Sequence, residues 1–163
     1  MLDWAKISRA GTGAAQSEGT LVDSKGHILL VEDSQDDIEL TLRALNRNVE
    51  LAVTVVRDGA EALSYLLGKA ERSLPDLVLL DINLPKLSGL DVLKALRGHA
   101  ETALLPVVML TTSREERDVV ASYRGGANSY VRKPVNYAEF VETVNQLGLY
   151  WLHLNEAPWP ARG

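Results

Sequence analysis

The sequence predicts a doubly wound α/β domain, with a five-stranded, mostly parallel sheet and helices on both faces. Three observations predict it. Five short apolar runs recur along the chain, the length and composition of strands buried on both sides. Segments with apolar residues at helical spacing separate them. Acidic, hydroxyl and lysine residues stand directly after these runs, at the sheet edge where such folds bind ligands.

The elements follow in order. His27-Ile28-Leu29-Leu30-Val31 is the first strand. Ser34 opens a helix with Asp37 three residues on as a capping pair, and Ile38, Leu42 and Leu45 are its stripe. Val53 to Val56 form the second strand, ended by Arg57-Asp58-Gly59, and Ala62, Leu63, Leu66 and Leu67 stripe the next helix. Leu77 to Leu80 form the third strand and end at Asp81; Leu90, Leu93, Ala95 and Leu96 belong to the helix after it. Pro106 starts a fourth strand that ends at Thr111, and Arg114 to Tyr123 read as a fourth helix. A short fifth strand holds Tyr130 and Val131 and is broken by Lys133-Pro134. Asn136 with Glu139 caps a last helix that runs past Tyr150. Residues 1–25, rich in Gly, Ser, Thr and Ala, read as a flexible tail; 26–150 as the domain; 151–163 as a C-terminal arm.

Composition excludes several classes. With 46% hydrophobic residues a core of ordinary size is expected. A net charge of −5 with scattered basic residues argues against nucleic acid as the main partner. The absence of cysteine removes disulfides, thiolate catalysis and Cys-based zinc sites. His27, His99 and His153 lie too far apart for a local ligand pair and are expected to have no special role. No apolar run reaches the roughly 18 residues of a membrane span, and the N-terminus lacks an apolar signal core, so a cytoplasmic protein without membrane contact is expected.

The residues at the strand ends carry the chemistry. Glu32 and Asp33 follow strand 1, Asp81 ends strand 3, Thr111 ends strand 4 and Lys133 ends strand 5. Carboxylates gathered in one pocket repel each other, and a hard cation with oxygen ligands such as Mg²⁺ relieves that. Lys133 adds a positive charge for an incoming phosphoryl oxygen, and Thr111 a hydroxyl donor. The set suits phosphoryl transfer by positioning and electrostatics. Asp36 and Asp37 are read as first-turn charges favoured by the helix dipole, not as part of this set.

The stretches HILLVEDSQDD, LVLLDINLPKLSGL, VVMLTTS and ANSYVRKP together resemble the signature segments of response regulator receiver domains, over about residues 26–148. The resemblance implies a flavodoxin-like sheet in order 2-1-3-4-5. It implies Asp81 as phosphoacceptor; Asp33 and Asp81 as direct Mg²⁺ ligands (Mn²⁺ or Ca²⁺ substituting in a crystal); Asn83 as a backbone carbonyl ligand; and Glu32 as a ligand through water. Thr111 and Tyr130 resemble the family's switch pair, and Lys133-Pro134 its cis peptide. Two positions depart from the pattern. Ser88 stands where many receivers have Asp, and Thr112 where many have a smaller residue, its methyl expected to narrow access to Asp81. The segments NLPKLSGLDVL, SREERDVV and QLGLYWLHLNEAPW are similar to the small regulators that partner phytochrome histidine kinases, which implies a sensor histidine kinase of that kind as partner.

Phe140, Val144, Leu147, Trp151 and Leu154 make one core-facing stripe at 4, 3, 4, 3 spacing, which leaves Val141, Tyr150 and Leu152 off it. A helix apolar on more than one side has a second partner, so a homodimer is expected through Tyr150, Trp151, Leu152 and Trp159; the alternative is an arm folded back on its own domain. The short arm 151–163 leaves no space for an output domain, so output is expected to be a protein contact, onward transfer or control of the kinase. A single-domain phosphorylation switch without a turnover substrate is the leading reading. A phosphorylation-independent dimeric scaffold of receiver type is the alternative, and a small α/β enzyme, an Asp-nucleophile phosphatase or a flavin protein, is a third. Such phosphatases carry a second Asp two residues after the nucleophile, where this chain has Asn83.

Overall fold

The three central strands read as apolar runs because they are covered on both faces, whereas the edge strands are only partly buried. The computed structural model, which describes residues 26–47, 51–69 and 73–158, pairs β1 (His27–Val31), β2 (Ala52–Val56), β3 (Leu77–Leu80), β4 (Val107–Thr111) and β5 (Ser129–Arg132) in parallel. The order is β2-β1-β3-β4-β5, as the family resemblance implied. The expected tail 1–25 and Trp159 lie outside the described residues.

Side chains alternate across each strand with period two, and the core splits accordingly. Leu29, Val31, Val78, Leu80, Val107 and Met109 face one layer with α2 (Gly59–Leu67) and α3 (Gly89–Arg97), through Leu66, Leu93 and Leu96. Ile28, Leu30, Leu77, Leu79, Val108 and Leu110 face the other, against α1 (Gln35–Leu45) and α5 (Tyr137–Leu149), through Ile38, Leu45, Phe140 and Val144. Burying one such side chain contributes about 1.5–3 kcal/mol, which fixes the strand register.

The helix starts are set by caps. The side chains of Ser34, Asp58 and Asn136 accept backbone N–H bonds at the first turns of α1, α2 and α5. At α4 (Glu116–Arg124) no side chain caps the Glu115 N-cap, whose extended backbone starts the helix two residues later than the sequence suggested. Only Ser122 of α4 is buried, and Val120 and Tyr123 are exposed.

The end of α5 departs from the expected stripe. Residues Tyr150–Leu154 form a π-helical turn, closed by Asn155 N–H donating to Tyr150 O at 2.7 Å. Its i→i+5 bonding changes the phase of the faces. Leu154, expected on the stripe, is 52% exposed, while Leu152, expected off it, packs with Trp151 against the domain's own core. A Cβ on Gly26 would stand 3.2 Å from Leu152 Cδ1, so glycine there makes room for the folded-back turn. Val141 is also buried, which widens the α5 stripe beyond one row. Of the expected dimer contacts, Tyr150 remains open at 49% exposure, edge-on to the half-buried Trp151.

Candidate phosphoryl and metal site

The C-terminal edge of the sheet gathers the predicted acidic set and Lys133. Asp81 leaves the buried run of β3 and is itself buried, as are Glu32, Thr111 and Lys133, whereas Asp33 is exposed. Helix α3 closes against the backbone of Asp81: a Cβ on Gly89 would lie 2.0 Å from Asp81 O, so only glycine allows this approach. Ser88 starts α3 with a capping box. Its Oγ accepts from Asp91 N–H at 3.2 Å, and Asp91 Oδ2 accepts from Ser88 N–H at 3.3 Å.

The ammonium of Lys133 sits among three carboxylates. It donates to Glu32 Oε2, to Asp37 Oδ2 at 2.9 Å and to Asp81 Oδ2 at 3.2 Å. Burial pushes the Glu32 carboxyl up to about 7, while the hydrogen bond and charge of Lys133 pull the other way. Burial alone would lower Lys133, but the charge of Asp81 and the Glu32 partner outweigh it and hold the ammonium above its ordinary value. The sequence makes Asp37 a first-turn charge and the capping partner of Ser34; its side chain instead reaches across to Lys133, and Ser34 N–H donates to Glu32 Oε1 at 3.1 Å.

Glu32, Asp33 and Asp81 offer oxygens within 4.8 Å of one another. Oxygen ligands about 2.1 Å from one Mg²⁺ stand roughly 3–4.2 Å apart, so this trio fits a small hard cation after modest rotations. The carboxylate of Asp81 also accepts from Asn83 N–H at 3.4 Å, which holds the loop after β3 close to it. In that loop Lys86 has φ of 67° and its Nζ donates to Asp58 Oδ2 at 2.9 Å, tying the loop to the start of α2.

Thr111 and Tyr130 meet through Ser113, a residue the sequence reading passed over. Thr111 Oγ1 accepts from Ser113 N–H at 3.2 Å, and Tyr130 O–H donates to Ser113 O at 3.1 Å. Ser113 Oγ in turn donates to Asp118 on α4. Thr112 is exposed beside them. The expected cis bond is corrected: the described residues contain no cis peptide, so Pro134 is trans. Trans is the isomer an X–Pro bond prefers by roughly 0.5–1 kcal/mol, and that intrinsic preference prevails here.

Comparison with known proteins agrees with this geometry. The response regulator receiver domain family matches residues 28–145. Response regulator Rcp1 of Synechocystis sp. is 38% identical over 135 residues, covering 80% of this chain and 92% of that protein. The phosphorylated cyanobacterial phytochrome response regulator RcpA superposes with a TM-score of 0.79 at 39% identity, over 83% of this chain and 99% of that one. The Mn²⁺-bound form of Rcp1 gives a TM-score of 0.76 at 36% identity, over 82% and 99%. Among the described residues no helix is long and apolar enough to cross a membrane. With this fold, an acidic trio at the ends of β1 and β3, and a lysine aimed into it, the chain belongs to the response regulator receiver family of two-component systems and is similar to its phytochrome response regulators.

Proposed function

We propose that this protein is a phosphorylation switch in which Asp81 accepts a phosphoryl group from the phosphohistidine of a sensor kinase, in a Mg²⁺-dependent step. The observation that carries this is the convergence of Glu32, Asp33 and Asp81 within 4.8 Å, with Lys133 Nζ 3.2 Å from Asp81. Asp33, Asp81 and the Asn83 carbonyl would hold the ion, with Glu32 acting through water; when bound, it offsets the crowded negative charge and that of the phosphoryl oxygens. An Asp81 oxygen forms the new bond to phosphorus as the bond to the donor nitrogen breaks, and the electron pair leaves on the imidazole. Lys133 exchanges carboxylate partners for a phosphoryl oxygen. The Thr111 hydroxyl turns from Ser113 N–H to donate to a second phosphoryl oxygen, and Tyr130 moves into the space left. Ser113 touches Thr111, Tyr130 and Asp118, so this movement reaches α4, whose Val120 and Tyr123 stand exposed. The chain promotes its own phosphorylation and dephosphorylation and turns over no separate substrate.

A phytochrome-type kinase as donor is supported by the likeness to RcpA, itself a phytochrome response regulator. A homodimer through the end of α5 rests on exposed Tyr150 and Leu154, since Trp151 and Leu152 are half-covered by their own domain. The test is intact mass after incubation with phosphoramidate. One phosphoryl group gained by wild type with Mg²⁺, and none by Asp81→Asn or with a chelator, is expected. A gain in Asp81→Asn equal to wild type contradicts the assignment.

A further inference from the structure

Asp37 is the carboxylate at this edge that the receiver reading leaves without a task. Its Oδ2 lies 2.9 Å from Lys133 Nζ, nearer than the 3.2 Å of Asp81 Oδ2. It is not one of the three carboxylates grouped as cation ligands. Its side chain is not needed for the start of α1 either. Ser34 Oγ caps the Asp37 backbone N–H at 3.4 Å, and the Asp37 carbonyl accepts from Thr41 Oγ1 at 2.7 Å. Lys133 therefore has two kinds of partner. Glu32 and Asp81 are partners a divalent cation would engage; Asp37, on the α1 side, is one it would leave in place.

On the reading of Asp81 as phosphoacceptor, we propose that Asp37 is a positioning residue that holds back Lys133 and so sets the rate at which a phosphoryl group is accepted. The buried ammonium has few donors to share, and a carboxylate at hydrogen-bond distance competes for it with the incoming phosphoryl oxygens. Removing the Asp37 charge while keeping the side-chain shape frees Lys133 to meet the phosphoryl group.

The test is the rate of transfer from phosphoramidate at saturating Mg²⁺, followed by intact mass. In this reaction an Asp81 oxygen bonds to phosphorus as the P–N bond breaks and ammonia leaves after taking up a proton. Asp37→Asn is expected to accept the group about three- to tenfold faster than wild type, roughly half to one unit of log rate. Asp36→Asn, the same charge change at an exposed neighbour, is expected to match wild type. In a Lys133→Gln background the gain from Asp37→Asn is expected to vanish, as a role acting through the lysine requires. Asp37→Ser repeats the measurement if the asparagine variant melts early; a purely structural role would lower the melting temperature without raising the rate. A wild type that takes no phosphoryl group overturns the Asp81 reading itself. A wild type that does, with Asp37→Asn no faster, overturns this inference alone. So does a gain that survives Lys133→Gln or appears equally in Asp36→Asn.

Discussion

The two edges of the sheet both hold a cation in place, but with opposite kinds of partner. At the N-terminal edge Arg97 donates to the carbonyls of Gly126 and Leu105 at 2.9 Å, to Thr102 O at 3.2 Å and to Asn128 Oδ1 at 3.0 Å. Asn128 Oδ1 also accepts from Val107 N–H at 2.8 Å, so the guanidinium fastens the loops that lead into β4 and β5. These acceptors are neutral and fixed by the backbone. At the C-terminal edge Lys133 is shared by three carboxylates, two of which, Glu32 and Asp81, belong to the acidic trio that could hold a cation. The contrast teaches that this domain places rigidity where acceptors cannot leave and its chemistry where they can.

Substitutions can break that contrast. The largest effect is expected for Lys133→Met, which strands Glu32 and Asp81 without their buried partner. Urea unfolding at neutral pH without divalent ions should show a loss of about 3 kcal/mol or more. Millimolar Mg²⁺ should recover part of it by binding the folded state. Arg97→Met should lose about 2–3 kcal/mol from unsatisfied carbonyls. Mg²⁺ should give that variant no more than it gives wild type, and the folded fraction should still accept a phosphoryl group. Equal Mg²⁺ recovery in both variants would remove the distinction.

A smaller effect sharpens the comparison at the surface. Asp58 holds its carboxyl below its ordinary value of 3.8, chiefly because it accepts from Glu61 N–H and secondly from Lys86. A depressed folded value means the stabilisation is complete above the unfolded value and lost as pH falls through the folded one. Asp58→Ala should therefore melt slightly below wild type at neutral pH, and the two melting curves should converge in acid.

The sequence made the strand ends legible, and with them most of the site. His27–Val31 and Leu77–Leu80 run directly into Glu32 and Asp81, and Val107–Thr111 finishes on a hydroxyl residue, so the sequence alone puts these side chains at one sheet edge. Asp37 was not legible. Its contact with Lys133 spans 96 positions and depends on how the first turn of α1 meets the residue after β5, which no local spacing encodes. The π-helical turn escaped for a related reason: α-helical spacing carries Leu154 inward, and only packing of Leu152 near Gly26 and Leu51 reveals the change of phase. Arg97 stands in the last turn of α3, where a basic residue already suits the helix dipole, and its carbonyl acceptors leave no trace in side-chain identity.

The measurement that tests the central contrast most directly is nitrogen-15 NMR of the Lys133 ammonium and the Arg97 guanidinium. Spectra would be recorded alone, with Mg²⁺, and with Mg²⁺ plus beryllofluoride as a phosphoryl mimic. The Lys133 signal should shift at each addition as its carboxylate partners are replaced, while Arg97 Nε stays where it is. A Lys133 signal unmoved by both additions would contradict the account.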